Sequence, residues 1–363
     1  MKIKLKNTPE QVELVKAMGS RDVAVAREAS EAFAAFIGPV VSKVLMQAGT
    51  ASAIYTDAPY DEDDNPSLPL DLWFDQGQDY VTVWSQTVAG GLPSSAVEGF
   101  SELKVSTYRL DSAVSFLKRY ARRGRLDVVS KAVERMSNEV LVKQERNAWA
   151  VVLKALAEAR TTGLTGGLVS NGHIIGAQSA GTFSLSDLNS LMTLVKRINT
   201  SYAGGTTTDS YGLTDLFVSP EIKADIRAFA YQPFTTNSSP TAGTNLPDNV
   251  REEIYSNAGA ESLYGVTIHE LVELGVSAKY NALFDAFKGD YTFSSNSDEL
   301  AIGLDLSKEA FIRPVARQAE SGGTFTVLPD DQFVARSEKT GFYGSLEEGR
   351  VCIDGRAIVG IKI

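Results

Sequence analysis

RLDVVSKAVERMSNEVLVKQERNAWAVVLKALAEAR, Arg125 to Arg160, runs for 36 residues without a glycine or a proline. Within it Leu126, Val129, Val133, Met136 and Val140 step by three, four, three and four, which places them on one face of an α-helix. A continuous helix over that span rises roughly 54 Å at about 1.5 Å per residue, long enough to act as a rod. The glycine-rich stretch from Thr161 to Gly181 ends it.

Upstream of the rod the pattern is different. Leu103 to Tyr108 is a β-prone run, Gly90-Gly91-Leu92-Pro93 is turn material, and Tyr80-Val81-Thr82-Val83-Trp84 alternates as a strand. Ala51 to Asp79 carries Pro59, Pro66 and Pro69 and no helical period, so it reads as extended chain. Together they describe a long two-stranded excursion. An isolated hairpin is marginal in water, so another surface must cover it. Before it, Arg21 to Ala48 reads as a helical arm, with a kink or restart expected at Gly38-Pro39.

Downstream, Ser184-Leu185-Ser186-Asp187 opens a helix to about Ile198, with Ser184 or Ser186 as its N-cap. Asp215 to Ser219 reads as a buried strand, followed by a helix from Glu221 to about Ala230 with Pro220 in its first turn. Gln232 to Asn249 is a polar loop. Short strand-like runs follow at Tyr264–Leu274, Leu300–Leu306, Ala310–Val315, Phe325–Val327, Phe333–Lys339 and Ala357–Ile363. The class is α+β, without regular βαβ alternation.

The 363 residues, 43% hydrophobic and 22% charged, suit a globular protein of two or three folding units and exclude a disordered chain. The single cysteine, Cys352, cannot close an intrachain disulfide, which points to a reducing compartment. Neither a signal peptide nor a membrane span is expected: the best apolar stretch, Ala32 to Met46, is broken by Gly38-Pro39 and carries Ser42 and Lys43. The net charge of −10 is unevenly placed. No Lys or Arg lies between Lys43 and Lys104, while ten acidic residues do, among them Asp61, Glu62, Asp63 and Asp64. From Lys104 to Arg160 there are thirteen basic and six acidic residues, a net of +7. The acidic block of one copy is complementary to the basic block of another, whereas each alone is simply a solvated face.

Catalytic motifs are absent. His269-Glu270-Leu271-Val272-Glu273 follows a zincin helix until Glu273 takes the place of the second histidine, and His173 is the other histidine in the chain. Asp61, Asp63 and Asn65 start a calcium loop, but Pro66 stands where glycine is needed and Leu72 where the bidentate glutamate is needed. Gly163, Gly166, Gly167 and Gly172 lack the strand, spacing and lysine of a phosphate loop. No catalytic, metal-binding or cofactor-binding residue is expected, and no cofactor. The cluster Lys118, Arg119, Arg122, Arg123 and Arg125 is dense enough to contact phosphate, but the acidic chain as a whole opposes binding to nucleic acid.

An arm, an extended hairpin, a spine helix, a central α/β insert and a β-rich end, in that order, resemble the major capsid protein of tailed bacteriophages, with the Hong Kong 97-like fold. Local runs are similar too: Leu216-Phe217-Val218-Ser219-Pro220-Glu221, Leu263-Tyr264-Gly265-Val266, Ala301-Ile302-Gly303-Leu304-Asp305, Asp330 to Arg336, and Arg356 to Gly360. The resemblance implies an N-terminal arm over 1–50, an extended loop over 51–110, a peripheral domain over 111–184 that contains the spine helix 125–160, an axial domain over 185–296 and the rest of the peripheral domain over 297–363. It implies a homo-oligomer of hexamers and pentamers that encloses double-stranded DNA held by non-specific proximity. A portal is implied as a partner, with separate scaffolding or decoration proteins as further candidates. No membrane is involved, and the location is the virion, assembled in the bacterial host cytoplasm. Asp61, Glu62, Asp63, Asp64, Lys104, Lys118, Arg119, Arg122, Arg123 and Arg125 are the inter-subunit contact candidates.

Some members of that family link a lysine of the extended loop to an asparagine of a neighbour. Lys104 fits the lysine, but no asparagine follows Asn296, so a non-covalent shell is expected. The arm starts close to Met1, so no N-terminal cleavage is expected. Three readings compete: an encapsulin-like compartment of the same fold, a zinc-dependent hydrolase using His269 and Glu273, and a nucleic-acid-binding protein using Lys118 to Arg125.

Overall fold

A computed structural model describes residues 8–47, 49–61, 65–69, 102–198, 212–229, 262–317, 324–330 and 338–363. Tyr80–Trp84, Gln232–Asn249, most of Phe333–Lys339, and Glu62, Asp63 and Asp64 lie outside these residues. Helices and sheets are mixed without regular alternation, an α+β fold. The chain divides into two units.

The first unit is Met1–Asn147 with Phe311–Ile353. Its first helix, α1 (Pro9–Met18), is entered through Thr8 in extended conformation, with Pro9 in the first turn where its missing N–H costs nothing. The second, α2 (Val23–Gln47), continues through Pro39 and does not break at Gly38-Pro39 as expected. Pro39 and the residue one turn before it, Ala35, are both exposed, so the carbonyl that loses its donor lies on the watered side. On the other side Ala29, Phe33, Ala34, Ile37 and Val41 are buried.

These helices cover one face of a six-stranded sheet. Its strands are β1 (Thr56–Asp61), β4 (Tyr108–Leu117), β10 (Phe311–Arg317), β11 (Thr326–Asp330), β12 (Lys339–Glu348) and β13 (Val351–Cys352). Strand β1 runs parallel to β10 from Thr56↔Ile312 to Asp61↔Arg317. Strand β12 pairs antiparallel with β4 along its whole length, from Lys339↔Leu117 to Glu348↔Tyr108, and with β11 on its other side. Phe342 of β12 is buried, its ring 5.3 Å from Phe33 and 6.2 Å from Phe116. Gly344 is required there because a Cβ would stand 2.5 Å from the Phe325 ring.

Between β1 and β4 the chain forms a separate two-stranded sheet, β2 (Ser67–Pro69) with β3 (Glu102–Lys104), in the register Leu68↔Leu103. The expected single strand Leu103–Tyr108 is therefore two strands. Buried Val105 turns toward the core between them, and its N–H donates to the Pro66 carbonyl at 3.0 Å.

A short α3 (Lys118–Arg122) leads into the rod, α4 (Leu126–Glu158), 33 residues long. Leu126, Val129, Val133, Met136 and Val140 are all buried, as the stepping predicts. From Ala148 on, the same helix belongs to the second unit, Ala148–Ala310 with Asp354–Ile363. The segment 185–296 lies inside this second unit. The remaining 111–184 and 297–363 are each divided between the two units, the former within α4 at Asn147 and the latter at Phe311 and Asp354.

The second unit has its own six-stranded sheet, ordered β5 (Ile174–Gly176), β14 (Ile358–Lys362), β9 (Leu300–Leu304), β6 (Asp215–Val218), β8 (Val266–Glu270), β7 (Ser262–Leu263). The helix α5 (Leu185–Ile198) buries Leu188, Leu191, Leu194, Val195 and Ile198 in its core. Its start is fixed by a reciprocal cap: the Ser184 N–H donates to Asp187 Oδ2 at 2.8 Å, and the Asp187 N–H to Ser184 Oγ at 3.4 Å. Ser219 caps α6 (Pro220–Ala228) by accepting the Ile222 N–H. Trp149 is fully buried, edge-on to Phe217 at 4.9 Å. Of the expected strand-like run Tyr264–Leu274, Val266–Glu270 is strand β8; Tyr264 and Gly265 take positive φ and reverse the chain between β7 and β8, and the residues after Glu270 turn away. A further helix, α7 (Lys279–Phe287), follows.

His173 is fully buried in this unit. Its Nδ1 lies 2.9 Å from the Ile358 carbonyl, which can only accept, so Nδ1 carries the proton and Nε2 accepts from the Thr161 hydroxyl at 2.8 Å. Burial holds its pKa below the ordinary value of 6.5. The unfolded chain therefore binds the proton first as pH drops. Its contribution to stability is full above pH 6.5 and is lost as pH falls below that value toward the lowered folded one. Replacing His173 with Gln is expected to remove up to about 1.4 kcal/mol per pH unit of acid sensitivity in that window. Urea unfolding of both proteins at several pH values measures the difference.

Candidate functional site

The residues that join the excursion to the first unit form a densely bonded polar region. On the outgoing side, Gly49 takes a left-handed φ of 105°, and the space a Cβ would fill is occupied by the Glu145 carboxylate of α4. That carboxylate accepts the Thr50 hydroxyl at 3.0 Å and the Ala51 N–H at 3.1 Å. Next, Tyr55 is buried edge-on to Phe311 and lies under the Arg350 guanidinium at 4.7 Å. Asp57 stands opposite Arg313 in the β1–β10 register and pairs with it through both oxygens, at 2.6 and 2.8 Å. The hydrogen bond runs from Nη2 to Oδ2, and the Nε contact to Oδ1 adds a close ion pair.

Alternation along a strand explains the rest. Neighbours on β12 point to opposite faces, so Glu347 and Glu348 have different fates. Glu348 is 0% exposed. It accepts the Tyr108 hydroxyl at 2.8 Å and the Gln144 amide at 3.0 Å, and it lies 3.3 Å from Arg350 and 3.9 Å from Arg313. A carboxylate so far from water is tolerable only because it is surrounded by donors and opposite charge. Burial, reinforced by the negative Glu348, pushes the Tyr108 hydroxyl up to about 12, so it stays a donor throughout the physiological range. Glu347 is half-buried, and its Oε1 accepts the Tyr60 hydroxyl at 3.1 Å and the Thr107 hydroxyl at 2.8 Å. One oxygen thus joins the outgoing and the returning chain.

None of these residues was expected from the sequence. A buried acid has no local signature, and its partners lie up to about 290 positions away, as with Tyr60 and Glu347. Of the expected contact residues, Asp61 and Lys104 are exposed, at the end of β1 and on β3. Arg119, Arg122, Arg123 and Arg125 are exposed as well. Arg122 also donates to the Gly19 carbonyl at 2.7 Å, and Arg119 lies over the Tyr120 ring at 5.0 Å. Among the described residues, no ion pair joins the acidic and basic sets. Lys118 must be corrected. Its side chain is 6% exposed and lines a cavity of about 280 Å³ with Met18, Ala26 and Thr340, because position 118 begins α3 on the side facing the core.

The hydrolase reading meets unsuitable geometry. His269 lies on strand β8 and Glu273 in the turn beyond it, so the two do not share a helical face. The His269 ring stacks on Phe217 at 4.9 Å and its Nε2 donates to Asp215 at 2.7 Å. Among the described residues no three His, Cys, Asp or Glu side chains are grouped to hold a metal, and no helix is long and apolar enough to cross a membrane.

Replacing Glu348 with Ala is expected to destabilise the protein by about 3–5 kcal/mol, because Arg350 and Arg313 then remain buried without their common partner. Tyr108→Phe removes one hydrogen bond and is expected to cost about 1–3 kcal/mol. Chemical denaturation of both variants measures the ratio.

No family model matches the sequence, and no curated protein matches it. Among solved structures, the chain is similar to the capsid of the cyanophage P-SCSP1u at 13% identity, with 85% of this chain and 86% of that chain covered and a TM-score of 0.45. It is similar to the capsid of an empty GTA particle at 15% identity, with 87% and 90% covered and a TM-score of 0.49. It is also similar to the mature capsid of bacteriophage PhiM1 at 11% identity, with 87% of each chain covered and a TM-score of 0.49.

Proposed function

We propose that this chain is a structural subunit of a closed shell, the major capsid protein of a tailed phage. The observation that carries the reading is the excursion. Its root, β2 with β3, is a two-stranded sheet separate from both six-stranded sheets, yet the chain on either side of it is anchored by buried charge. At that root Ser67, Glu102 and Lys104 are exposed and Leu68 and Leu103 only half-buried. A two-stranded sheet held firmly at its base with so little of its own surface covered is built to lie on something else. In a homo-oligomer that surface is a second copy, and each copy gains stability from contacts repeated by symmetry.

On this reading the first unit is the core of the peripheral domain, and residues 185–296 of the second unit form the axial domain of hexamers and pentamers. Asp61, with Glu62, Asp63 and Asp64 beside it in sequence, faces Arg119, Arg122, Arg123 and Arg125 of a neighbour, and Lys104 lies at the same contact. The net charge of −10 suits a container whose packed DNA must not adhere to the wall. A portal, and scaffolding or decoration proteins, complete the particle in the host cytoplasm.

Negative-stain microscopy of the purified protein is expected to show closed shells containing nucleic acid. Monomers that bind metal stoichiometrically would refute the reading, and shells filled with protein cargo would point to an encapsulin-like compartment. On denaturing electrophoresis such shells are expected to run at the monomer mass of 39.1 kDa, without a ladder. Replacing Arg119, Arg122 and Arg123 together with Glu is expected to leave the subunit folded and abolish assembly, because exposed charges contribute little to a monomer but like charges oppose docking. Circular dichroism and sedimentation velocity report the two properties separately.

A further inference from the structure

We infer that Glu347 is the positioning residue that sets the direction in which the excursion leaves the sheet, by tying its outgoing and returning strands to one carboxylate oxygen. As a statement about assembly this rests on the shell reading above; as a statement about the subunit it stands on the geometry alone. Tyr60, one residue from the end of β1, and Thr107, one residue before β4, stand where the two strands leave and rejoin the sheet. Both hydroxyls converge on Oε1 of Glu347, and these two are the only hydrogen bonds its carboxylate makes among the described residues. Unlike Glu348, it is not needed to neutralise the interior, because the arginines are already engaged by Glu348 and Asp57.

The next residues tighten the same junction. The Gly349 N–H donates to the Pro314 carbonyl at 2.8 Å, and a Cβ at Gly349 would stand 3.1 Å from Val105 Cγ1 and 3.3 Å from the Ser106 carbonyl. The returning chain therefore rests directly on the backbone that follows Glu347. With Oε1 in place, a tilt of either strand stretches a charge-assisted hydrogen bond on the other, so the two move as one body. Without it, each strand keeps its own anchors, Arg313 for Asp57 and Glu348 for Tyr108, but the link between them is gone.

The test uses Glu347→Ala, Glu347→Gln, and the double variant Tyr60→Phe with Thr107→Val in the full chain. Amide hydrogen exchange is expected to speed up more than tenfold at residues 56–61 and 102–108 in Glu347→Ala, with no change at the α4 core positions 129–140. The double variant is expected to match it, and adding Glu347→Ala to the double variant is expected to change nothing more, because all three remove the same link. Glu347→Gln keeps an acceptor oxygen and is expected to restore near-normal exchange. The yield of regular shells is expected to fall more than tenfold in Glu347→Ala and to recover in Glu347→Gln. Unchanged exchange at both segments in Glu347→Ala overturns the inference. So does faster exchange in only one of them. If Glu347→Ala speeds exchange everywhere, Tyr60→Phe with Thr107→Val decides: localised coupled opening supports the link, and none refutes it. If the unmodified protein forms no shells, the shell reading fails while the exchange data still decide the role of Glu347.

Discussion

A carboxylate with no access to water, Glu348, sets the terms for the first unit. Leaving it unpaired would cost several kcal/mol, which is comparable to the whole stability of a typical domain. Its partners arrive from four places in the chain: Tyr108 from the start of β4, Gln144 from the long helix, Arg313 from β10 and Arg350 from just beyond β12. Each of those segments must be in position before the charge is satisfied. The cluster thus ties folding of the unit to correct placement of both chain segments that flank the ribbon. A purely apolar junction of the same size would resist sliding and rotation less, because dispersion contacts have no preferred direction.

The long helix was legible in detail. Five apolar positions stepping by three and four, with no glycine or proline nearby, leave no competing structure, and all five are buried. Strong periodicity also exposed α5 and the Ser219-Pro220 start of α6, where capping chemistry is local. Strand β12 was not legible. Its sequence KTGFYGSLEE contains two glycines and a charged pair, poor strand material by propensity, yet it is paired on both sides. Gly344 is there for the Phe325 ring and Glu348 for the arginines, and both reasons are tertiary.

The exposed charges of the candidate contact could be named from composition, because runs of like charge are visible in one dimension. Lys118 shows the limit of that reasoning. It belongs to the basic run by sequence, but the helix that starts there turns it inward while its neighbours Arg119, Arg122 and Arg123 face out. The anchors of the ribbon were invisible for the opposite reason. Tyr60, Thr107 and Glu347 are ordinary residues whose importance lies only in meeting at one point.

The adjacent glutamates of β12 also bear on how this strand finds its alignment. Sliding it by one position would exchange the faces of every side chain, yet the inward place would still receive an acid, since Glu347 would take the seat of Glu348. Charge alone therefore cannot distinguish correct from shifted pairing. The discrimination falls to Phe342 and Leu346, which the slip would expel into water from among Phe33, Phe116 and their neighbours. In this strand the aromatic and aliphatic residues select the alignment, and the acids hold it once selected.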